Sequence, residues 1–177
     1  MGFAETLRGD WAANTRGDRS RSGALATFLS ARWQSVLLFR LSQTIPAPAS
    51  PLAKLVKQFN QMVTGADLAV SADVAPGLVL FHPVGVVIGP GVSIGSNCEI
   101  QQGVTVGSRY GGWDEHDDWP VLGDGVRLGA GARVLGAVHI GTGAVVGANS
   151  VVLSSLPDGA VAVGAPARVV KVVNEAL

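Results

Sequence analysis

An aliphatic residue recurs at every sixth position between residues 88 and 152, with one interruption, and glycine follows most of these positions. The first column contains Ile88, Ile94, Ile100, Val106, Leu122, Leu128, Val134, Ile140, Val146 and Val152. A second column lies four positions after the first and contains Val92, Cys98, Val104, Val126, Ala132, Val138, Ala144 and Ser150. An α-helix repeats about every 3.6 residues and a strand about every 2, so neither fits this period. The pattern predicts a parallel β-helix whose six-residue turns stack as coils.

The composition agrees with one domain that buries an apolar core. Hydrophobic residues make up 47% of the 177 positions, and the 24 glycines are about twice the usual share of roughly 7%. The formal net charge is zero, which removes the electrostatic reason to expect nucleic acid as a partner. The sequence shows no signal peptide and no unbroken apolar span, so we expect a cytoplasmic protein. Cys98 belongs to the second column, where we expect a small core residue and not a reactive thiol.

The repeat occupies only part of the chain. We expect a tail and helical segment over residues 1–65, the β-helix over 66–165 and a short tail over 166–177. In the first segment, residues 1–22 are polar and are expected to be loosely ordered. An amphipathic helix is predicted over 23–45, and a second helix is predicted from Pro51 to about Val63.

The helical segment has two interpretations from sequence. In the first, it packs on one end of the β-helix and covers an exposed coil edge. In the second, it associates weakly with an anionic membrane surface through its cations. These cations are Arg32, Arg40, Lys54 and Lys57.

The repeat departs from its period at two places. Leu80 and Ile88 are eight positions apart instead of six, which places His82 in a distorted turn. Ten additional residues lie within the excursion 107–121, which is rich in aromatic and acidic side chains. Long excursions from a rigid solenoid usually bind ligands, so both departures are candidate functional sites.

Several segments resemble the catalytic half of the serine acetyltransferases, which are hexapeptide-repeat acyltransferases. The matching segments are 82–89, 103–107, 128–136, 140–141, 147–153 and 163–170. The resemblance covers about 100 residues. It implies a mainly β fold, a left-handed parallel β-helix with a short N-terminal helical segment. The left hand rests on this resemblance, because general chirality rules favour the right hand.

The resemblance also implies an acetyl-CoA-dependent O-acetyltransferase that forms homotrimers with active sites between subunits, with no metal. His82 aligns with the general base of the family, and Asp67, fifteen residues earlier, aligns with the carboxylate that orients it. A histidine in this position removes the proton of the acceptor hydroxyl, so transfer is direct. The positions matching the acetyl-CoA site are Gly107, Ser108, Ala130, Ala148, Gly164, Ala165, Arg168 and Lys171.

Two departures from the family pattern concern the acceptor. Phe81 replaces the aspartate that precedes the catalytic histidine, and the segment 117–120 reads Asp-Asp-Trp-Pro where the family has Asp-Arg-His-Pro. Asp118, in place of the arginine, would repel the carboxylate of a free serine where the arginine would pair with it. We therefore expect a hydroxyl of a sugar or polysaccharide precursor as acceptor, as in the short colanic-acid acetyltransferases. The candidate acceptor residues are Phe81, Tyr110, Trp113, His116, Asp117, Asp118 and Trp119.

Two alternatives stay open at this point. One is a serine O-acetyltransferase of cysteine biosynthesis with an unusual loop. The other is a non-catalytic or metal-binding β-helix trimer. A zinc site of that kind needs several histidines, and the chain has three.

Overall fold

Helices come first and short strands follow in this computed structural model, which describes residues 2–15, 20–46, 51–110 and 118–173. The helices are α1 (Phe3–Thr15), α2 (Arg21–Leu29), α3 (Ala31–Thr44) and α4 (Pro51–Thr64). The strands are β1 (Asp67–Leu68), β2 (Asp73–Val74), β3 (Val79–Leu80), β4 (Val87–Ile88), β5 (Ser93–Ile94), β6 (Glu99–Ile100), β7 (Thr105–Gly107), β8 (Val121–Leu122), β9 (Arg127–Leu128), β10 (Arg133–Leu135), β11 (His139–Ile140), β12 (Val145–Val146), β13 (Val151–Val152), β14 (Ala160–Gly164) and β15 (Ala167–Val172).

The strands form three sheets that are the faces of a β-helix. The first face has the order β1-β4-β7-β10-β13, the second β11-β8-β5-β2 and the third β15-β14-β12-β9-β6-β3. All pairs are parallel except the last, between β14 and β15. In a regular coil, Val87 pairs with Thr105, eighteen residues later. Three faces with a period of six therefore make one coil, which confirms the predicted parallel β-helix.

Both departures from the period leave the pairing of the flanking strands intact. Asp67 pairs with Val87, twenty residues later, and Thr105 pairs with Arg133, twenty-eight residues later. The strands before and after each departure therefore keep the register of the regular coils.

The two sequence columns form the core. No residue of either column is more than 4% exposed. Ser150, the polar member, accepts a hydrogen bond through Oγ from Gly164 N at 3.1 Å, so its hydroxyl is satisfied inside the core. A Cβ at Gly129 would lie 2.7 Å from Ala148 N, which explains why glycine follows the aliphatic position where coils approach closely.

The thiol of Cys98 provides an experimental test of the burial predicted for the second column. Burial raises the pKa of its thiol from 9.0 to about 11, and Sγ lies 3.3 Å from Gly123 O. We expect the native protein to resist thiol reagents at pH 8 and to react fully once it is unfolded in urea. The raised pKa also stabilises the fold below pH 9, and this contribution is lost as the pH rises towards 11. Rapid labelling of the native protein at pH 8 would contradict the burial.

The helical segment is more ordered than its sequence indicates. Residues 3–15 form α1, although we expected residues 1–22 to be loosely ordered, so that prediction was wrong for this stretch. The predicted helix over 23–45 is divided at Ser30, whose Oγ accepts from Trp33 N at 3.2 Å and donates to Thr27 O at 2.6 Å. Ser30 therefore ends α2 and begins α3, as serine caps do. The second predicted helix is present as α4.

A buried ion pair joins the helices to the first coil. Arg40 Nε donates to Asp10 Oδ2 at 2.9 Å, and Arg40 Nη1 donates to Val74 O at 2.6 Å. Asp10 Oδ1 accepts from Gly77 N at 2.8 Å and from Leu78 N at 3.1 Å. Asp10 is fully buried and Arg40 is 4% exposed. The segment thus covers one end of the β-helix, as the first interpretation expects.

The cations named for a membrane surface are mostly engaged within the protein. Arg40 is buried, Arg32 Nη2 donates to Asn14 O at 2.6 Å, and Lys57 pairs with Asp67. These contacts argue against membrane association through this set of charges. Among the described residues, no helix combines the length and apolarity that crossing a bilayer requires.

The C-terminal segment also differs from the expectation. Residues 167–172 form β15, which returns antiparallel to β14 and adds an edge strand to the third face. The predicted tail over 166–177 is therefore a hairpin arm in its described part. The register of this pair shifts between Val161 and Ala162, a β-bulge, and the two strands are paired on both sides of it.

Candidate active site

His82 lies in the turn 81–86, at the corner that leads from the third face into the first. We call this edge the upstream corner; it also contains the turns 101–104, 129–132 and 147–150. The side chain of His82 is exposed, and no hydrogen bond or ion pair holds it within the described ranges. The imidazole is therefore open to a ligand.

Asp67 reaches the same corner from the first coil. Its strand, β1, lies beside β4, and Asp67 N donates to Val86 O at 2.8 Å. Its side chain pairs with Lys57 Nζ from α4. No hydrogen bond joins Asp67 to His82 in the described part of the chain. The structure thus brings the turn of His82 and the strand of Asp67 side by side, without a hydrogen bond between the two side chains among the described residues.

Phe81 packs against the helical segment. The guanidinium carbon of Arg32 lies 5.8 Å from the centre of the Phe81 ring, a cation–π contact. Phe81 is half-buried, so α3 shields part of the ring that we expected to meet the acceptor. The helical segment therefore packs against the turn that carries His82.

Four of the predicted acetyl-CoA positions lie on the upstream corner. Backbone hydrogen bonds stack its turns: Gly131 N donates to Gln102 O at 2.8 Å, and Asn149 N donates to Ala130 O at 2.8 Å. Ala148 belongs to the next turn and is exposed, while Gly164 and Ala165 form the exposed tip of the β14–β15 hairpin. Coils are about 4.8 Å apart, so this row of small residues extends about 19 Å from the His82 turn.

The other predicted acetyl-CoA positions are divided between two places. Gly107 is the last residue of β7 and Ser108 follows it, at the opposite edge of the first face, which we call the downstream corner. Four residues separate this edge from the upstream corner, or about 13 Å of extended chain. Arg168 and Lys171 are exposed on β15 of the third face, where Arg168 pairs with Val163 beside the hairpin tip. One subunit therefore does not bring all eight positions together.

Trp119 is a packing residue. Its indole lies over Gly89 and Gly91 at the downstream corner, where a Cβ on either glycine would overlap the ring. It is half-buried and packs against the hydrophobic core. The β-helix therefore covers one face of the ring, and the predicted contact of Trp119 with the acceptor stays a prediction.

The remaining acceptor candidates divide between two groups. Tyr110 is 72% exposed and Asp118 is exposed, at either end of the loop. Trp113, His116 and Asp117 lie outside the described residues. Within the described ranges, no three His, Cys, Asp or Glu side chains are grouped in a way that would hold a metal ion.

Sequence reasoning missed the contact of Lys57 with Asp67 and the role of Arg109. Arg109 Nη2 donates to Leu153 O at 3.2 Å and so ties the base of the loop to the next coils. Neither contact has a local sequence signal, because each joins residues on different elements. The ten-residue spacing of Lys57 and Asp67 acquires meaning only once α4 is docked on β1.

Two family models match the repeat. Residues 120–154 match the bacterial transferase hexapeptide (six repeats), and residues 85–109 match the hexapeptide repeat of succinyl-transferase. A serine acetyltransferase of Helicobacter pylori is 41% identical over 119 residues, which are 67% of this chain and 68% of that protein.

Solved structures agree over a larger share of the chain. A Neisseria gonorrhoeae serine acetyltransferase in complex with serine has a TM-score of 0.82 at 30% identity, covering 94% of this chain and 68% of that chain. A Brucella abortus serine acetyltransferase in complex with coenzyme A has a TM-score of 0.85 at 28% identity, covering 95% of this chain and 67% of that chain. The match extends over the helical segment as well as the coils. The chain therefore belongs to the hexapeptide-repeat acyltransferases, in the group of the serine acetyltransferases.

Proposed function

We propose that this acyltransferase transfers the acetyl group of acetyl-CoA to the hydroxyl of L-serine. The observation that carries the proposal is the similarity to the Helicobacter pylori serine acetyltransferase over two thirds of both chains. The covered ring of Trp119 adds support, since it weakens the stacking argument for a sugar. Serine thus takes the place of the sugar acceptor that the loop composition favours.

The proposed chemistry needs one base and no covalent enzyme intermediate. His82 removes the serine hydroxyl proton as the oxygen attacks the thioester carbonyl, forming the new carbon–oxygen bond. The tetrahedral intermediate then collapses, the carbon–sulfur bond breaks, and the departing CoA sulfur receives the proton. Asp67 orients the imidazole, and backbone N–H groups near Gly107 and Ser108 stabilise the oxyanion.

The active site is proposed to lie between subunits of a homotrimer. His82 occupies the upstream corner and the loop leaves from the downstream corner, on opposite edges of one face. A neighbouring subunit brings its downstream corner to this upstream corner, and the pantetheine arm lies along the row of small residues. The TM-scores support a left-handed coil, because a coil of the opposite hand would not superpose on these structures.

A sugar hydroxyl is the second candidate acceptor. The observation in its favour is the loop itself, where Asp118 is exposed and Tyr110 is 72% exposed. A carboxylate repels an amino acid's carboxylate but accepts hydrogen bonds from sugar hydroxyls. An acceptor test must therefore include both classes.

The test is thiol release from acetyl-CoA, with L-serine and a panel of sugars run in parallel. We expect kcat/KM for serine to exceed that for every sugar by at least about tenfold, a difference of about 1.4 kcal/mol in transition-state binding. Acetyl-CoA without acceptor gives the hydrolysis background, and the buried Cys98 adds little thiol signal. Turnover with a sugar but not with serine would overturn the proposal in favour of the second candidate.

A further inference from the structure

Lys57 lies on the packed side of α4, where its position is constrained. Ala53, Asn60 and Thr64, at helical spacing from Lys57, are all buried. Asn60 Nδ2 donates to Ser35 O at 2.9 Å, which fixes the rotation of α4 against α3. The Lys57 side chain is 29% exposed, so most of it is enclosed. The ammonium group is thus delivered to β1 by a docked helix.

The ion pair occupies one oxygen of Asp67. Lys57 Nζ contacts Oδ1, and in the described part of the chain no hydrogen bond occupies Oδ2. An ionised carboxylate accepts at both oxygens, so Oδ2 stays available as an acceptor. The carboxylate is 35% exposed, on the side of β1 that faces away from the core.

The backbone holds this carboxylate in register with the turn that carries His82. Asp67 N donates to Val86 O at 2.8 Å, and Gly85 N donates to Gly65 O at 2.9 Å. The main chain of β1 therefore has a defined position relative to the turn. The side-chain rotamer of Asp67 is the remaining freedom, and Lys57 restricts it.

We propose that Lys57 is a positioning residue, which holds one oxygen of Asp67 so that the other accepts the N–H of His82. The inference rests on the proposed roles of His82 and Asp67. A partly exposed ion pair stabilises a fold only slightly, so a purely structural role predicts no kinetic effect. Positioning, by contrast, acts on the rate, because small displacements of a catalytic base lower it strongly.

The experiment is a double-mutant cycle in the full chain. Lys57→Met is expected to lower kcat about tenfold with little change in KM for acetyl-CoA, and Lys57→Arg is expected to restore most of the rate. In an Asp67→Asn background, Lys57→Met should have no further effect, because its action passes through that carboxylate. Lys54→Met, an exposed lysine one turn earlier on α4, is the matched control.

Each contrary outcome has a distinct meaning. A wild-type kcat in Lys57→Met, or losses that multiply with Asp67→Asn, would overturn the positioning role. The cycle uses whichever acceptor supports turnover, so a failure of serine as acceptor is seen in the wild type and is separate from the role of Lys57.

A second readout needs no acceptor. Nitrogen chemical shifts of the imidazole report the tautomer of His82 by NMR. One tautomer is expected to dominate in the wild type and in Lys57→Arg, and a mixture is expected in Lys57→Met. Equal tautomer populations in the wild type and Lys57→Met would overturn the inference.

Discussion

Replacing His82 by alanine is expected to lower kcat for acetyl transfer by about 10²–10⁴-fold, the usual contribution of a general base. The side chain is exposed, and no hydrogen bond holds it within the described ranges. Its removal should therefore change the free energy of unfolding by less than about 0.5 kcal/mol. A large kinetic loss with an unchanged Tm is the signature of a residue that acts on the substrate.

The control for His82→Ala is a variant of a histidine that lies outside the proposed active site. His139 in β11 is also exposed, but it lies on the second face, away from the upstream corner. His139→Ala is expected to retain the wild-type kcat. Both variants are measured by thiol release at saturating acetyl-CoA, with thermal unfolding recorded at one protein concentration. Turnover of His82→Ala at the wild-type rate would remove His82 from the mechanism.

Replacing Asp10 by alanine is expected to lower the free energy of unfolding by about 3–5 kcal/mol. The substitution leaves the charge of Arg40 unpaired at a site that is 4% exposed. It also removes the acceptor of Gly77 N and Leu78 N, which lie where the helices meet the first coils. An uncompensated buried charge costs more than the intact pair contributes.

Urea denaturation of the wild type and of Asp10→Ala measures this loss in the free energy of unfolding. Glu5→Ala, an exposed acidic residue in the first turn of α1, is the matched control and should change stability by about 1 kcal/mol or less. The double variant Asp10→Ala with Arg40→Met should be more stable than Asp10→Ala alone, because the orphaned charge is gone. A loss below about 1 kcal/mol in Asp10→Ala would show that the network is dispensable.

The coil itself was predictable because each of its parts has a short-range sequence signal. Burial of Ile88 and Val92 follows from their columns, and the closeness of coils explains the glycines. The two irregular turns were visible as changes of spacing. Predicting them needed no knowledge of which residues meet.

The helical segment was less predictable because its order depends on partners in the coil. Residues 3–15 have the composition of a polar terminus, yet Asp10 and Asn14 are buried where α1 meets the turn before β3. The same applies to Trp119, an aromatic in a polar loop, which packs on glycines almost thirty residues earlier. Whether a residue is buried depends on which element packs against it, and the local composition does not indicate which element that is.

Sequence alone determined that this chain winds into a parallel β-helix, because a side chain at every sixth position must point into one enclosed core. It also located His82 and the loop as the two interruptions of that core. Only the tertiary structure decided what surrounds them: Lys57 on Asp67, Arg32 on Phe81, and the loop on the opposite edge of the face. These contacts join segments that are distant in sequence, and packing of helices on coils brings them together.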